Sequence, residues 1–208
     1  RVLAQWLRCG VVDKNQFQRT EEGTPQGGII SPLLANLVLD GLEADLKRFL
    51  AIRMGVAGVK KAKVNLVRYA DDFVVTGESK ELLETVVKPW VEAFLRERGL
   101  QLHTGKTRIV HIDEGFDFLG WNFRKYSEKL LIKPSRKNVQ AFYSKVSEVI
   151  ARHVSRPKAE LIQKLNPILK GWAMYHHGVV AKATFTKLDH QIFWRLWRWG
   201  MRRHPRQL

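Results

Sequence analysis

Cysteine is almost absent from this chain of 208 residues, in which Cys9 is the only one. A single thiol can form neither an internal disulfide nor a multi-cysteine metal site, so a disulfide-stabilised secreted domain is excluded and a reducing compartment is expected. Long apolar runs are also missing, because charged residues interrupt every stretch before the roughly 18 residues that a membrane span needs. We therefore expect no association with a membrane.

Acidic residues are scarce, and their scarcity is uneven along the chain. The sequence has 20 Asp and Glu against 36 Lys and Arg, a formal net charge of +16. Residues 1–123 are nearly balanced, with 17 basic and 16 acidic residues, whereas residues 124–208 have 19 basic and 4 acidic ones. Such asymmetry is typical of a polyanion-binding module joined to a different one, and nucleic acid is the leading partner. Charge alone is also compatible with a basic surface that contacts only solvent.

The apolar pattern of the first part predicts an α+β unit. Ser31 and Pro32 suit an N-cap and a first helical position, and apolar residues recur at helical spacing to about Leu50, before a connection at Gly55 and Gly58. Residues 64–76 are rich in Val and interrupted by an acidic pair, which indicates a β-hairpin with its turn there. Further elements are predicted: a helix over 82–95, kinked near Pro89 and ending near Gly99, and strands over 106–112 and 116–123.

After Pro134 the pattern predicts helices only. Asn166 and Pro167 resemble a fresh helix start, and the last helix is expected over residues 185–203. At about 100° per residue, the apolar side chains of that helix fall on one side and its arginines on the other, which predicts one packing face and one phosphate-facing face. We place Phe193, Leu196, Trp197 and Gly200 on the packing face, and Arg195, Arg198 and Arg202 opposite, with Trp199 beside the arginines as a base-stacking candidate and Trp172 in the core.

Residues with catalytic potential concentrate at the hairpin turn, in the sequence Tyr69-Ala70-Asp71-Asp72. Paired carboxylates on a rigid support suit Mg²⁺, and two such ions can stabilise the attacking and leaving oxygens of phosphoryl transfer. Successive strand residues point to opposite faces, so the two aspartates need not contact metal equally, and Asp71 is expected to be the firmer ligand. An ordinary acidic turn is the alternative that four residues leave open.

Five motifs in a fixed order identify a resemblance that covers nearly the whole chain. The sequence resembles the reverse transcriptases encoded by group II introns, with their attached maturase domain. The resemblance implies an α+β fold in which residues 1–123 form the remainder of a polymerase palm, an antiparallel sheet with packed helices. Residues 124–208 would form a basic helical thumb and part of the maturase domain, with the boundary at about 124–134. The motifs are EEGTPQGGIISPLLANLVLD from Glu21, VRYADDFVV from Val67, FLRERGLQLHTGKTRIV from Phe94, FDFLGWNF from Phe116 and GWAMYHHGVVAKATFTKLD from Gly171.

The resemblance implies roles for the acidic pair. Asp71 and Asp72 match the carboxylates that hold the catalytic Mg²⁺ ions in this family. A third aspartate comes there from a strand upstream of the Pro-Gln-Gly loop, and no residues of this sequence match that strand. Because the sequence also opens at Arg1 without an initiator Met, we expect it to be a piece of a longer chain, inactive in polymerisation by itself.

The resemblance also implies binding residues outside the acidic pair. Lys106 would lie near the leaving pyrophosphate as a cation or general acid, and Gly105 stands where the family usually has an acidic residue. Each of these segments has a simpler alternative. The loop at 25–28 would be a helix-entry turn without a ligand, Lys106 a solvated lysine, and the strand motif at 118–120 part of the core. The implied nucleotide and template site comprises Pro25, Gln26, Gly27, Gly28, Tyr69, Ala70 and Lys106, the primer grip Phe118, Leu119 and Gly120, and the RNA-binding set Lys182, Lys187, Arg195, Arg198 and Arg202.

The activity that the resemblance implies is RNA-directed DNA polymerisation with a maturase function. The protein would extend a DNA primer on an RNA template with dNTPs and Mg²⁺, and would bind intron RNA to support group II intron splicing and mobility. A bacterial cytoplasm or an organelle is the expected location. Two alternatives remain at this point: a non-catalytic RNA-binding maturase, and a reverse transcriptase of another lineage such as a retron enzyme. The intact acidic pair argues against the first, and the helical segment after Gly171 argues against the second.

Overall fold

A computed structural model describes Gln5, residues 31–203 and the backbone of two short strands, Val11–Asp13 (β1) and Gln16–Gln18 (β2). Helices and antiparallel sheets are mixed, which confirms the α+β class. The chain divides into two compact units, residues 1–109 and residues 110–208, and each has a hydrophobic core of its own. The domain boundary that the sequence predicts at 124–134 stays a prediction.

The first unit contains two helices that the sequence predicted as one. Helix α1 covers Ser31–Val38 and α2 covers Leu42–Ala62. The helical conformation is interrupted between them at Gly41, whose φ of 81° is left-handed. The predicted connection at Gly55 is instead a kink within α2, since only Gly55 leaves helical geometry there. Glycine adopts the positive φ found at Gly41 and Gly55 without strain because it has no Cβ.

The core of the first unit forms between α2, the hairpin and a third helix. Leu42, Leu46 and Leu50 recur every fourth residue of α2 and are almost fully buried. The hairpin consists of β3 (Asn65–Tyr69) and β4 (Asp72–Thr76), as the sequence predicts. Leu66 is buried on one face of β3 while Val67 and Tyr69 are exposed, so the alternation of the strand fixes which side of the hairpin faces the core.

The third helix, α3, has three parts. It begins as one turn at Lys80–Leu82, is π-helical over Leu83–Val87 and continues as α-helix over Lys88–Arg96. The π-helical segment precedes Pro89, so the irregularity predicted there is confirmed. The helix ends close to Gly99, as predicted, and Gly99 has a left-handed conformation with a φ of 71°. The strand predicted over 106–112 is wrong: the backbone amides of Lys106 and Thr107 donate to the carbonyl of His103, which makes a turn.

The second unit starts with a three-stranded antiparallel meander. Its strands are β5 (Phe116–Phe118), β6 (Trp121–Tyr126) and β7 (Lys129–Pro134), paired in the order β5-β6-β7. The sequence predicted a single strand over 116–123 and did not predict β7. A two-residue turn at Leu119 and Gly120 divides the predicted strand, and Ser127 with its φ of 53° belongs to the turn between β6 and β7.

Three helices follow: α4 (Arg136–Arg152), α5 (Lys158–His176) and α6 (Lys182–Arg203). The prediction of helices after Pro134 is confirmed, but the fresh start predicted at Asn166 is wrong because Pro167 lies inside α5. Leu161 and Leu165 of α5 are buried in the core. Their packing stabilises the turns before Pro167 and offsets the backbone hydrogen bond that proline cannot donate. In the part of the chain that the structure describes, none of the helices combines the length and apolarity needed to cross a bilayer.

Helix α6 turns a different face to the core from the one that the sequence predicted. Leu188 and Ile192 are buried there, and Leu196 packs beside them as predicted. Phe193 and Trp197, which were predicted to pack, are exposed instead. Trp199, predicted to stack on a base, packs against the core and donates from Nε1 to the carbonyl of His153 at 3.0 Å. Trp172 lies against the core as predicted.

Candidate functional site

The hairpin tip presents the acidic pair through a tight turn. Tyr69 pairs with Asp72, so Ala70 and Asp71 alone form the turn, and Asp72 is the first residue of β4. Ala70 has a φ of 52°, a left-handed conformation that costs an L-residue roughly 1–2 kcal/mol. Such backbone strain is tolerated where the surrounding structure holds it, and it is concentrated at functional sites.

Both carboxylates of the tip are open to solvent. Asp71 and Asp72 are exposed, and among residues 31–203 neither side chain has a hydrogen bond or an ion pair. Adjacent unpartnered carboxylates are hard oxygen ligands of the kind that Mg²⁺ prefers, so the tip fits this ion chemically. The described residues contain no group of three or more His, Cys, Asp or Glu arranged to hold a metal, so these two aspartates are the ligands that the hairpin offers.

Arg68 ties the hairpin tip to helix α1. Its Nη1 donates to Oδ1 of Asn36 at 2.9 Å and to the carbonyl of Ala70 at 2.8 Å. One guanidinium therefore bridges the strained turn and the helix that follows the Pro-Gln-Gly-Gly loop in sequence. Sequence reasoning missed this residue, although its position beside the acidic pair, on a strand whose side chains alternate between faces, was an available signal.

The structure describes only some of the remaining residues of the predicted nucleotide site. The loop at Pro25, Gln26, Gly27 and Gly28 lies outside the described residues. Tyr69 is 65% exposed and Ala70 is half-buried. Lys106 is exposed in the turn after α3, and no contact between described side chains joins it to the acidic pair. The structure thus brings Tyr69, Ala70 and both aspartates together, and the roles of the loop and of Lys106 stay predictions.

The predicted primer-grip residues form a second strained turn. Phe118 pairs with Trp121 across Leu119 and Gly120, whose φ values of 49° and 81° are both positive, as a type I′ turn requires. Glycine accommodates this conformation readily, but leucine does so at a cost. A Cβ at Gly120 would lie 2.8 Å from Nδ2 of Asn138, so the position accepts only glycine without a shift.

Helices α4 and α5 hold this turn in place. The hydroxyl of Tyr175 donates to the carbonyl of Leu119 at 2.7 Å, and the amide of Ser135 donates to the carbonyl of Gly120 at 2.9 Å. The ring of Tyr175 also stacks on Trp121, with centroids 4.5 Å apart and planes 5° from parallel. Tyr175 of α5 and Ser135, the residue before α4, therefore fix a turn whose own conformation is unfavourable. Sequence reasoning missed the contact of Tyr175, which lies 56 positions from Leu119.

A polar network lies behind the turn. Oδ1 of Asn138 accepts a hydrogen bond from Nε1 of Trp172 at 2.7 Å and lies 3.1 Å from Nε2 of His176. His176 is fully buried, and burial lowers its pKa, which favours the neutral imidazole. Asn138 joins Trp172 and His176 of α5, and its side chain lies against Gly120 of the turn. The sequence predicted no role for His176.

The predicted RNA-binding residues lie on one helix. All five are exposed on α6, and within the described part of the chain none of them has an acidic partner. Exposed cations without an acidic partner are available to phosphates, and their binding to a polyanion releases its condensed counterions. The set comprises Lys182, Lys187, Arg195, Arg198 and Arg202.

Two family models match the chain, and together they span both compact units. Residues 1–123 match the model of reverse transcriptase (RNA-dependent DNA polymerase), which is more than half of the sequence. Residues 139–208 match the group II intron maturase-specific domain. The acidic hairpin lies in the first match, and helix α6 with its five cations lies in the second.

Curated relatives share these regions. Protein YkfC of Escherichia coli (strain K12) is 29% identical over 79% of this chain and 47% of its own length. The group II intron-encoded protein LtrA of Lactococcus lactis subsp. cremoris is 26% identical over 60% of this chain and 29% of its own length. Maturase-like protein 1 of Euglena gracilis is 34% identical over 45% of this chain and 21% of its own length. The chain thus spans about half of the first of these relatives, and less of the others.

The predicted resemblance is therefore confirmed. The order of an exposed acidic hairpin and a cation-rich helix agrees with the two matched regions. The chain belongs to the reverse transcriptase family, and its second part matches the group II intron maturase-specific domain.

Proposed function

We propose that the full-length protein is an RNA-directed DNA polymerase in which Asp71 and Asp72 hold the catalytic Mg²⁺ ions. The observation that supports this most strongly is the presence, on a strained and anchored turn, of two exposed carboxylates that have no partner among residues 31–203. A protein that only binds RNA has no need for two exposed carboxylates at this turn, because their negative charges repel phosphates. In the family a third carboxylate, from a strand upstream of the Pro-Gln-Gly loop, completes the site.

The residues of the tip would act by position and charge. Bound magnesium would lower the pKa of the primer 3′ hydroxyl and neutralise the pyrophosphate that leaves the dNTP. Asp71 would be the firmer ligand, since it lies in the turn itself, and Asp72 would contribute from the first position of β4. Tyr69, Ala70 and the loop at 25–28 would line the nucleotide and template site, with Lys106 near the leaving pyrophosphate.

The turn at Leu119 and Gly120 would support the primer backbone. Its two residues have a left-handed conformation, and Tyr175 holds the carbonyl of Leu119 in place. A turn that is already held in one conformation binds the primer backbone with a smaller loss of conformational freedom, so its loosening should weaken primer binding.

The second unit supports a further role in RNA binding. We infer that helix α6 binds intron RNA, so that the protein assists group II intron splicing and mobility as well as copying RNA. Two observations favour this role: the match to the maturase-specific domain, and the five exposed cations of α6, which have no acidic partner in the described part of the chain. It is compatible with polymerisation, since the acidic and basic surfaces belong to different units.

Primer extension by the full-length protein tests the proposed polymerase function. A DNA primer annealed to an RNA template should be extended in the presence of dNTPs and Mg²⁺, and EDTA should stop the reaction. RNA binding without any extension, under conditions in which the protein is folded, would favour the non-catalytic maturase instead.

Arg68→Met should lower the kcat of primer extension about tenfold or more. The substitution removes both hydrogen bonds that tie the turn to α1, and hydrogen bonds from a charged group contribute roughly 1.5–3 kcal/mol. Because each 1.4 kcal/mol is a factor of ten, loss of this tether should show in kcat if it positions the acidic pair. The measurement is steady-state primer extension with thermal unfolding in parallel.

Arg96→Met is the matched control for this prediction. Arg96 is an exposed arginine of α3 whose side chain has no hydrogen bond, ion pair or ring contact among the described residues, so its loss should leave kcat within about twofold. Equal kcat values for Arg68→Met and Arg96→Met would show that the tether plays no part in positioning the tip.

Tyr175→Phe should raise the KM for the template–primer several-fold and leave kcat within about twofold. The change removes only the hydroxyl that bonds the carbonyl of Leu119, worth about 0.5–1.5 kcal/mol, and keeps the ring that stacks on Trp121. Tyr126→Phe is the control, since no described residue hydrogen-bonds that hydroxyl. A kcat loss without a change in KM would contradict a role in holding the primer.

A further inference from the structure

Helix α6 has a second apolar face, on the side away from the core. His190, Phe193, Trp194, Trp197 and Met201 recur at spacings of three and four residues, which places them on one side of a helix. Phe193 is 56% exposed, Trp194 44% and Trp197 47%, whereas the buried residues Leu188 and Ile192 lie on the opposite side. A row of large aromatic side chains that are exposed rather than packed in the core is uncommon on a protein surface. We call these five residues the outer aromatic face.

The rings of the outer aromatic face are held by one another. Nε1 of Trp194 donates to Nε2 of His190 at 2.9 Å, and Phe193 meets Trp194 edge to face at 5.6 Å between centroids. Phe193 and Trp197 lie within 25° of parallel, with centroids 6.3 Å apart. Mutual contacts of this kind restrict the rotamers of the rings and leave their outward π-faces available to a ligand.

The charges around this face point to the chemistry of its ligand. Lys187 and Arg198 follow the helical spacing onto its edge, and Arg195 and Arg202 lie one position further round. Asp189 is the single acidic residue of α6. An apolar protein segment would cover the rings but leave these cations without partners, whereas a polyanion with aromatic groups would satisfy both.

We propose that the outer aromatic face stacks the unpaired bases of single-stranded RNA, with Lys187 and Arg198 on the adjoining phosphates. Bases in a duplex already stack on one another, so an aromatic platform selects unpaired segments, and it does so with little regard to sequence. This inference rests on the proposed RNA-binding function of α6 and specifies the kind of RNA that it takes.

Trp197→Leu and Trp194→Leu test the proposal in the 208-residue chain. The probes are an unstructured 12-nucleotide RNA and the same strand annealed to its complement. Each variant should lose about fivefold or more in affinity for the single strand and stay within about twofold for the duplex, because stacking on one base contributes that much. The slope of log affinity against log salt should not change, since no phosphate contact is removed.

Two control variants separate stacking from charge and from folding. Arg198→Gln should weaken binding to both RNA forms and reduce the salt slope by about 0.7, the value of one phosphate contact on a single strand. Ile162→Ala removes an exposed apolar side chain of α5, away from α6, and should bind both forms as the wild type does. Circular dichroism of every variant would show that the helices are intact.

Three outcomes would overturn the proposal. Wild-type affinity of both tryptophan variants for the single strand would show that the face does not stack bases while leaving RNA binding by α6 intact. Loss of duplex binding equal to the loss of single-strand binding would remove the selectivity. If Trp197 of the RNA-free full-length protein were shielded from acrylamide, judged against Trp197→Phe, a protein segment would be the occupant. Absence of RNA binding by the wild type would instead refute the proposed function, and this inference with it.

Discussion

Asp71→Asn in the full-length protein should reduce RNA-templated primer extension on the order of 10³-fold and leave RNA affinity within a few-fold. Asparagine keeps the size of the side chain and one oxygen but loses the charge that a hard divalent cation needs. A catalytic metal supplies several kcal/mol of transition-state stabilisation, and each 1.4 kcal/mol is tenfold in rate. Because Asp71 has no described hydrogen-bond partner, its replacement should not disturb folding.

The acidic residues of the first unit provide controls for this prediction. Asp40→Asn removes an exposed carboxylate that has no described partner either, and it should extend primers at the wild-type rate. Asp72→Asn should also reduce extension, by less than Asp71→Asn, because Asp72 lies on β4 rather than in the turn. Normal extension by Asp71→Asn would exclude a metal-binding role for this residue.

Raising the salt from 50 to 200 mM should weaken the binding of unstructured RNA to this chain about 10²-fold. Each neutralised phosphate of a single strand contributes about 0.7 to the slope of log affinity against log salt, and the five cations of α6 together give a slope near −3.5. The triple replacement of Arg195, Arg198 and Arg202 by glutamine should reduce the slope to about −1.4. Fluorescence titration at four salt concentrations measures both slopes.

A matched change in the first unit shows whether the effect belongs to α6. Lys60 and Lys61 are exposed on α2, where basic and acidic residues are nearly balanced, and their joint replacement by glutamine should leave the slope unchanged. An affinity that did not respond to salt would contradict electrostatic RNA binding by the second unit.

Local patterns in the sequence predicted the elements whose shape depends on adjacent residues. The hairpin at 65–76 was found because valine-rich segments flank an acidic turn, and its register then follows from the two-residue turn at Ala70 and Asp71. The start of α1 at Ser31 follows from its proline and the apolar spacing after it. Both features are set within about a dozen residues, so tertiary packing did not alter them.

Tertiary packing decided the elements that the sequence misplaced. Helix α5 passes through Pro167 because buried leucines before it remain in the core, which a local rule for proline does not include. Helix α6 has apolar residues on two faces, and a periodicity of 3.6 residues does not tell which face meets α4. The face with Leu188 and Ile192 packs, and the one with Phe193 and Trp197 does not.

Distance along the chain accounts for the parts of the candidate site that were missed. Arg68 meets Asn36 from 32 positions away, and Tyr175 meets the carbonyl of Leu119 from 56 positions away. No motif spacing encodes such contacts, whereas the two turns that they hold, at residues 70–71 and 119–120, stood out through their motifs. The sequence therefore located the candidate chemistry, and the folded chain revealed what fixes its geometry.

The proposed polymerase function requires the carboxylates of the hairpin tip to bind divalent cations. Mn²⁺, which prefers the same oxygen ligands as Mg²⁺, can be counted by electron paramagnetic resonance on the full-length protein with template–primer and dNTP. Two tightly bound ions are expected in the wild type and in Asp40→Asn, and at least one should be lost in Asp71→Asn. The same number of bound ions in all three proteins would show that Asp71 holds no metal.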